Sequence, residues 1–261
     1  MKLLFLLIAG GGPIHDQDEI AQRETWAKQD SQFIQIIWLR SHASSKFKIQ
    51  DRTLYVPCDV SFEGILEKTI IGFKWVLENV EFDYLIRSNT STYFEVSSIA
   101  EGINQIKDGQ LGGTFETNRK HLLGFPKGYR YLNGSGLYMT RNSAKILATL
   151  EPNTYRLSPD DISIFKFLKG QGFSFTPMKR NNLDLHHIFF PHPQVRVKSW
   201  SNPKLTVSRM TYIHKYFQSN SYFARVGSWL AVEINEIRNS NVTFRTFYRL
   251  LIRMINLLRK K

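Results

Sequence analysis

Residues 1–13 read MKLLFLLIAGGGP, and the fold class turns on how this stretch is taken. Lys2 followed by the apolar run Leu3 to Ala9 has the outline of a minimal signal peptide. It is far too short to span a bilayer. The run closes on Gly10-Gly11-Gly12-Pro13, which suits a buried strand that enters a tight turn. The strand reading is preferred, and Gly11 and Gly12 become candidates for close backbone approach to a nucleotide.

Outward from that strand, strand-like and helix-like segments alternate as in an α/β sheet protein. The pattern predicts a helix over Asp18 to Lys28, a strand over Phe33 to Leu39, a short strand over Thr53 to Val56 and a helix from about Phe62 to Glu78. Leu66, Thr69, Phe73 and Val76 share one face of that helix. A strand over Tyr84 to Arg87 leads to the polar turn Ser88-Asn89-Thr90-Ser91, then a helix near Ser97 to Ile106 and a strand over Leu111 to Phe115. Tyr129 to Thr140 reads as strand interrupted at Gly134-Ser135-Gly136, and Asn142 to Leu150 as helix. Ser158-Pro159-Asp160-Asp161 reads as a helix start, with serine at the cap, proline in the first turn and acids near the positive end; the helix runs to about Lys169. Beyond Pro177 a Pro- and His-bearing stretch reads as loop, and the remainder as basic helix. The domain reading is therefore 1–190 for the α/β domain and 191–261 for a loop and basic helical extension.

With 261 residues, 42% of them hydrophobic, the chain can bury a large core, which excludes disordered and collagen-like classes. The single cysteine, Cys58, forms no internal disulfide and asks for no oxidising compartment, so a cytoplasmic location is expected. Lys and Arg exceed Asp and Glu by 35 to 22, a surplus that favours anionic partners such as phosphorylated substrates, acidic membrane or nucleic acid. No zinc-knuckle spacing or RNP-like aromatic motif is present, so nucleic acid is not an expected partner.

Four short stretches, in order, are similar to motifs of the β-1,3-galactosyltransferase and Fringe family. Arg23-Glu24-Thr25-Trp26 resembles R-x-T-W, and Ile65-Leu66-Glu67-Lys68-Thr69 with Trp75 resembles N-L-T-L-K-T and its downstream tryptophan. Tyr131-Leu132-Asn133-Gly134-Ser135-Gly136-Leu137-Tyr138 resembles Y-x-x-G-x-G-Y, and Asp160-Asp161-Ile162 resembles E-D-V. The resemblance covers roughly residues 1 to 190. It implies a GT-A-like fold and an inverting glycosyltransferase that moves a sugar from a nucleotide-diphosphate donor, UDP-linked by analogy, to a glycan hydroxyl. It further implies that Arg23 and Lys68 lie near the nucleotide and its phosphates, that the loop Gly134, Ser135, Gly136 borders the acceptor, and that Asp161 is the catalytic base. Arg87, Asn89 and Ser91 fall at the donor, and His186 is a donor-phosphate candidate. Asp160 and Tyr131 are candidates for the acceptor side.

One departure stands out. Where the family carries an acidic D-D-D triplet that holds a divalent metal, this chain has Asn89-Thr90-Ser91. Neutral oxygens are poor ligands for Mg²⁺ or Mn²⁺. Either cationic side chains handle the leaving diphosphate, or the fold is kept without catalysis, as a glycan-binding relative.

The bland alternatives are specific. Asp161 could serve as a capping-box carboxylate, Arg23 and Lys68 could lie on solvated helix faces, and His186, next to His187, could be an ordinary surface histidine. If Asp161 is the base, the helix end and neighbouring cations should hold it ionised. In the C-terminal segment Phe244, Tyr248, Leu251, Ile255 and Leu258 follow helical spacing against Arg245, Arg249 and Arg253, with no acid from Ile237 to Lys261. Such a helix would lie on an anionic membrane surface or pack on the catalytic domain.

Overall fold

The computed structural model describes residues 1–61, 64–117, 127–155 and 159–178, the backbone of 181–182 and 194–196, and residues 210, 213 and 214. Within them the opening stretch is a strand, β1 (Leu3–Ile8), and every residue of it is buried. It runs parallel to β2 (Ile34–His42) on one side and to β5 (Tyr84–Asn89) on the other, so it is an interior strand.

Alternation along β1 divides the core. Leu3, Phe5 and Leu7 join a cluster with Trp26, Trp38 and Phe94, while Leu4, Leu6 and Ile8 join a second one with Leu39, Phe73 and Val76. A strand covered on both faces has no polar side to show, and its sequence is accordingly apolar without alternation. Helix α1 (Pro13–Glu24) contributes Ala21 to the first cluster; α2 (Ile65–Asn79) contributes Leu66, Phe73 and Val76 to the second. Thr69 is buried on the same α2 face, as its spacing predicts.

Beyond β2 lie β4 (Thr53–Pro57), parallel, and the antiparallel edge strand β3 (Lys48–Gln50). On the other side of β5 come β8 (Arg130–Thr140), antiparallel, then β7 (Gln110–Thr117) and β9 (Ser174–Pro177). The described sheet therefore has the order β3-β4-β2-β1-β5-β8-β7-β9, a mixed sheet built around a parallel centre, in the α/β class. Helices α3 (Val96–Gly102), α4 (Arg141–Leu147) and α5 (Asp160–Gly170) complete the layers. A smaller sheet joins β6 (Thr92–Phe94) to β11 (Gln194–Arg196) and β10 (Asn181–Asn182). Met210 and Ile213 are buried in the first core cluster.

Several boundaries differ from the sequence reading. Helix α1 starts at Pro13, because Gly12 takes a left-handed φ of 94° and turns the chain directly into the helix without a side-chain cap. The expected helix to Ile106 gives way to a 3₁₀ turn at Ile103–Gln105. Strand β8 runs through Gly134-Ser135-Gly136, but the interruption expected there is present in its pairing: Gly113 of β7 pairs with Leu137 and Phe115 with Leu132, so 133–136 bulge out of the β7 register, and the pairing with β5 ends at Leu137. Pro159 is the cap residue of α5 rather than part of its first turn, and Ser158 lies outside the described residues. Strands β3, β6, β9, β10 and β11 have no counterpart in the sequence reading, since runs this short carry little periodicity. The amphipathic segment Phe244 to Leu258 lies outside the described residues. No helix among the described residues is long and apolar enough to cross a membrane.

Candidate functional site

In an open α/β sheet the crevice for a ligand forms at the carboxyl ends of the parallel strands, where the strand order reverses. Here the chain leaves β1 for β2 and β4 on one side and returns to β5 on the other, so the reversal falls between β1 and β5. Ile8 pairs with Asn89 at the end of that register. Gly10 to Gly12 and the Asn89-Thr90-Ser91 turn therefore emerge side by side.

Helix α1 is tied to that turn. Gln22 Nε2 donates to the Thr92 carbonyl at 3.1 Å and to the Asn89 carbonyl at 3.4 Å, while Trp38 Nε1 donates to Gln22 Oε1 at 2.9 Å. His15 Nδ1 lies 3.2 Å from Thr90 Oγ1, and a Cβ on Gly10 would sit 2.5 Å from the His15 ring. Gly10 is thus glycine because His15 crosses it. Neither His15 nor Gln22 belongs to a motif, and only the position of His15 in the first turn after the glycine run could have pointed to it.

The turn itself closes inward. Asn89 Oδ1 accepts from Ser91 Oγ at 3.0 Å and from Thr92 Oγ1 at 2.9 Å. The oxygen that would replace a metal-binding carboxylate is already occupied by two hydroxyls, and the other groups are neutral, so the position does not fit Mg²⁺ or Mn²⁺. Among the described residues no group of three or more His, Cys, Asp or Glu side chains converges as a metal site.

The charged part of the site comes from β5, β8 and α5. Arg87, 3% exposed on the central strand β5, forms an ion pair through Nη2 with Asp160 Oδ2, and its Nη1 donates to the Gly134 carbonyl at 2.5 Å. Gly134 N donates to Asp161 Oδ2 at 3.1 Å, and Ile162 N donates to Asp161 Oδ1 at 2.9 Å. The neighbouring backbone is fixed by Ser88 Oγ, which donates to the Ser135 carbonyl at 2.9 Å; Thr92 Oγ1 lies 3.2 Å from the same carbonyl, its one proton shared between that oxygen and Asn89 Oδ1.

These contacts exclude the capping-box role for Asp161. The reciprocal bond of a capping box needs the N–H of the cap residue, and Pro159 has none. The Asp161 residue keeps some surface, yet both carboxyl oxygens are taken up by backbone N–H groups. Burial, followed by the charge of Asp160, pushes its pKa up to about 7, against the opposing pull of Gly134 N–H and Arg87. The expectation that cations hold it ionised is therefore reversed, because desolvation outweighs them.

Lys68 reaches the same crevice from α2. Its Nζ donates to the Ala9 carbonyl at 2.6 Å, at the end of β1, and the residue is 3% exposed. Burial lowers it to about 8, with Arg87 and Arg40 adding to the depression and Cys58 and Asp160 opposing it. It is no solvated surface lysine.

Arg23 behaves differently. Its guanidinium stacks 3.8 Å from the Trp38 ring centroid, pairs with Glu19 and donates to Thr53 Oγ1 at 2.8 Å. Glu19 also binds Arg40 at 2.6 Å, and Arg40 reaches Asp16 at 2.9 Å. Arg23 thus fastens α1 to β2 and β4. Tyr131 is partly buried against the second core cluster, across from Glu116 of β7. The Gly136 carbonyl lies 3.0 Å from where a Cβ on Gly113 would stand, so this glycine serves the close approach of β7 and β8. His186 lies outside the described residues.

The carboxyl end of the sheet therefore brings Arg87, Gly134, Ser135, Asp160 and Asp161 together beside the Asn89-Thr90-Ser91 turn, with Lys68 at the end of β1 and Gly11 and Gly12 in the turn that leaves it, while Arg23 is turned away into packing. It holds a paired acid, a carboxyl poised near neutrality and a buried ammonium with hydrogen-bonding capacity to spare. No protein-family model matches the chain, and no curated protein matches it.

Proposed function

We propose that this chain is a glycosyltransferase of GT-A-like architecture, moving a sugar from a nucleotide-diphosphate donor to a glycan hydroxyl with inversion and without a divalent metal. One observation carries the reading: Asp160 and Asp161 open α5 beside the strand-order reversal, where Arg87 and Lys68 supply buried positive charge. The resemblance of the four motif stretches supports it, three of the four contributing residues to that crevice.

In a single displacement the acceptor hydroxyl oxygen forms a bond to the anomeric carbon as the bond from that carbon to the diphosphate oxygen breaks. The hydroxyl proton passes to the Asp161 carboxylate, whose pKa near 7 suits a base that works at neutral pH. The electron pair leaves with the diphosphate, whose charge Lys68 balances at the β1 end. Asp160, fixed by Arg87, is left to receive a hydrogen bond from the acceptor.

Ligands that bind the folded chain raise its melting temperature. In 1 mM-scale nucleotide diphosphates and nucleotide sugars with EDTA present, at least one ligand should raise the melting temperature of wild type and fail to raise that of Lys68→Met. No shift with any member of the panel, with or without Mn²⁺, would defeat the donor-site reading. The inward closure of Asn89 also favours a second reading, a glycan-binding relative without catalysis. That protein would bind glycans in the same assay and ignore nucleotides.

A further inference from the structure

Arg87 does more than supply charge and pair with Asp160. It sits on the central strand β5, with a side chain only 4% exposed, where a leucine would pack without desolvating a charge. Among the described residues its Nε has no hydrogen-bond partner, so the strand tolerates an incompletely satisfied buried cation. The two terminal nitrogens are both committed, one to Asp160 and one to the Gly134 carbonyl. The peptide N–H of the same glycine is spent on Asp161.

We propose that Arg87 is the positioning residue of the acid pair, holding Asp160 directly and Asp161 through Gly134. The residue at 134 is part of the device. A Cβ there would collide with Arg87 Nη1 and stand 3.2 Å from the Asp161 Cβ, so any side chain would push apart the groups that the glycine joins. A planar fork with two parallel donors can grip a carboxylate and a carbonyl together, and a lysine point charge cannot reproduce that spacing. Among the described residues the charged groups that act on Asp161 are Asp160 on its own helix and Arg87 from β5; β8 contributes the Gly134 backbone N–H, and Lys68 of α2 acts on Asp160 and Arg87 from the β1 side.

The catalytic consequence rests on Asp161 as the reacting acid, but the bracket itself can be read without turnover. In full-length protein with ¹³C-labelled aspartate, the Asp161 carboxyl resonance, assigned by its loss in Asp161→Asn, reports its own titration. Arg87→Lys keeps a buried charge and loses the fork; Gly134→Ala keeps Arg87 and displaces it. Both should move the Asp161 midpoint upward by about 1 pH unit, since the carboxylate loses a backbone donor and part of its cationic support. Should Gly134→Ala fail to fold, Arg87→Lys decides alone. A merely structural Arg87 would lower the melting temperature of the variants and leave the Asp161 midpoint where it is in wild type, and that result overturns the proposal. Wild type that titrates as expected but never turns over would instead sink glycosyl transfer and leave the bracket standing.

Discussion

Replacing Lys68 by Met tests whether a buried ammonium is kept at the end of β1 at the expense of stability. Lys68 is 3% exposed, and among the described residues its ammonium makes one hydrogen bond, to the Ala9 carbonyl. Burial takes it from 10.5 to about 8. At about 1.4 kcal/mol per pH unit, that depression penalises the charged form by about 3 kcal/mol. The folded protein releases this proton more readily than the unfolded chain. Between about 8 and 10.5 the unfolded chain therefore binds more protons, and wild-type stability rises with pH across that window. Methionine removes the charge, fills similar space and gives up the Ala9 bond, a loss of about 1–3 kcal/mol. At pH 7 the variant should thus be between unchanged and about 2 kcal/mol more stable, and near pH 10.5 it should be the less stable of the two by about the value of the lost bond. Urea unfolding followed by tryptophan fluorescence at both pH values measures the difference directly. The decisive quantity is its change with pH, about 3 kcal/mol in favour of wild type on going alkaline. A wild-type-to-variant gap that stays constant with pH would refute the burial of a charged lysine and, with it, the reason for seeing a ligand site here.

Asp161→Asn should fold, keep donor binding and lose about 100-fold or more in turnover; wild-type rate should fall with pH below about 7 as the base becomes protonated. The same raised pKa makes a stability prediction of opposite sign to Lys68: its contribution is present at low pH and is lost as pH rises through about 7, which Asp161→Asn should abolish in pH-dependent melting. Donor binding measured by calorimetry should be unchanged by EDTA, because Asn89 Oδ1 is already engaged by Ser91 and Thr92; restoration of lost binding by Mn²⁺ would show that the turn opens to a metal. Arg23→Lys should cost about 1–2 kcal/mol of stability through lost stacking on Trp38 and lost pairing with Glu19, yet alter nucleotide affinity by less than about twofold. A large affinity loss without destabilisation would return Arg23 to the donor site.

The legible part of the fold was its parallel centre. Leu3 to Ile8 and the Ile36 to Leu39 part of the second run are apolar because they are covered on both faces, and such runs announce themselves in one dimension. The face Leu66, Thr69, Phe73 and Val76 was equally plain, since helical periodicity repeats over several turns. Strands such as Lys48–Gln50 and Thr92–Phe94 were not legible, because three residues fit any period and their placement depends on partners distant in sequence. In the site, motif order pointed to Gly134 and Asp161, which meet, and to Lys68, which lies within electrostatic reach of their partners Arg87 and Asp160. It also pointed to Arg23, whose helix face was correct but whose side chain is held by Trp38, Glu19 and Thr53 from two other elements. The direction of the Asp161 shift could not be read either. Neighbouring charges are visible in sequence, whereas the desolvation that outweighs them exists only once β8 and α5 have packed.

The most direct measurement is nucleotide release by the purified chain, with EDTA present, from a panel of nucleotide sugars offered with and without glycan acceptors. Wild type should release a nucleotide diphosphate from one donor class, faster with an acceptor present, and Asp161→Asn should lose that acceptor-dependent release while still binding the donor. A wild type that binds no nucleotide and releases none from any donor, with Mn²⁺ added or not, would contradict a glycosyltransferase.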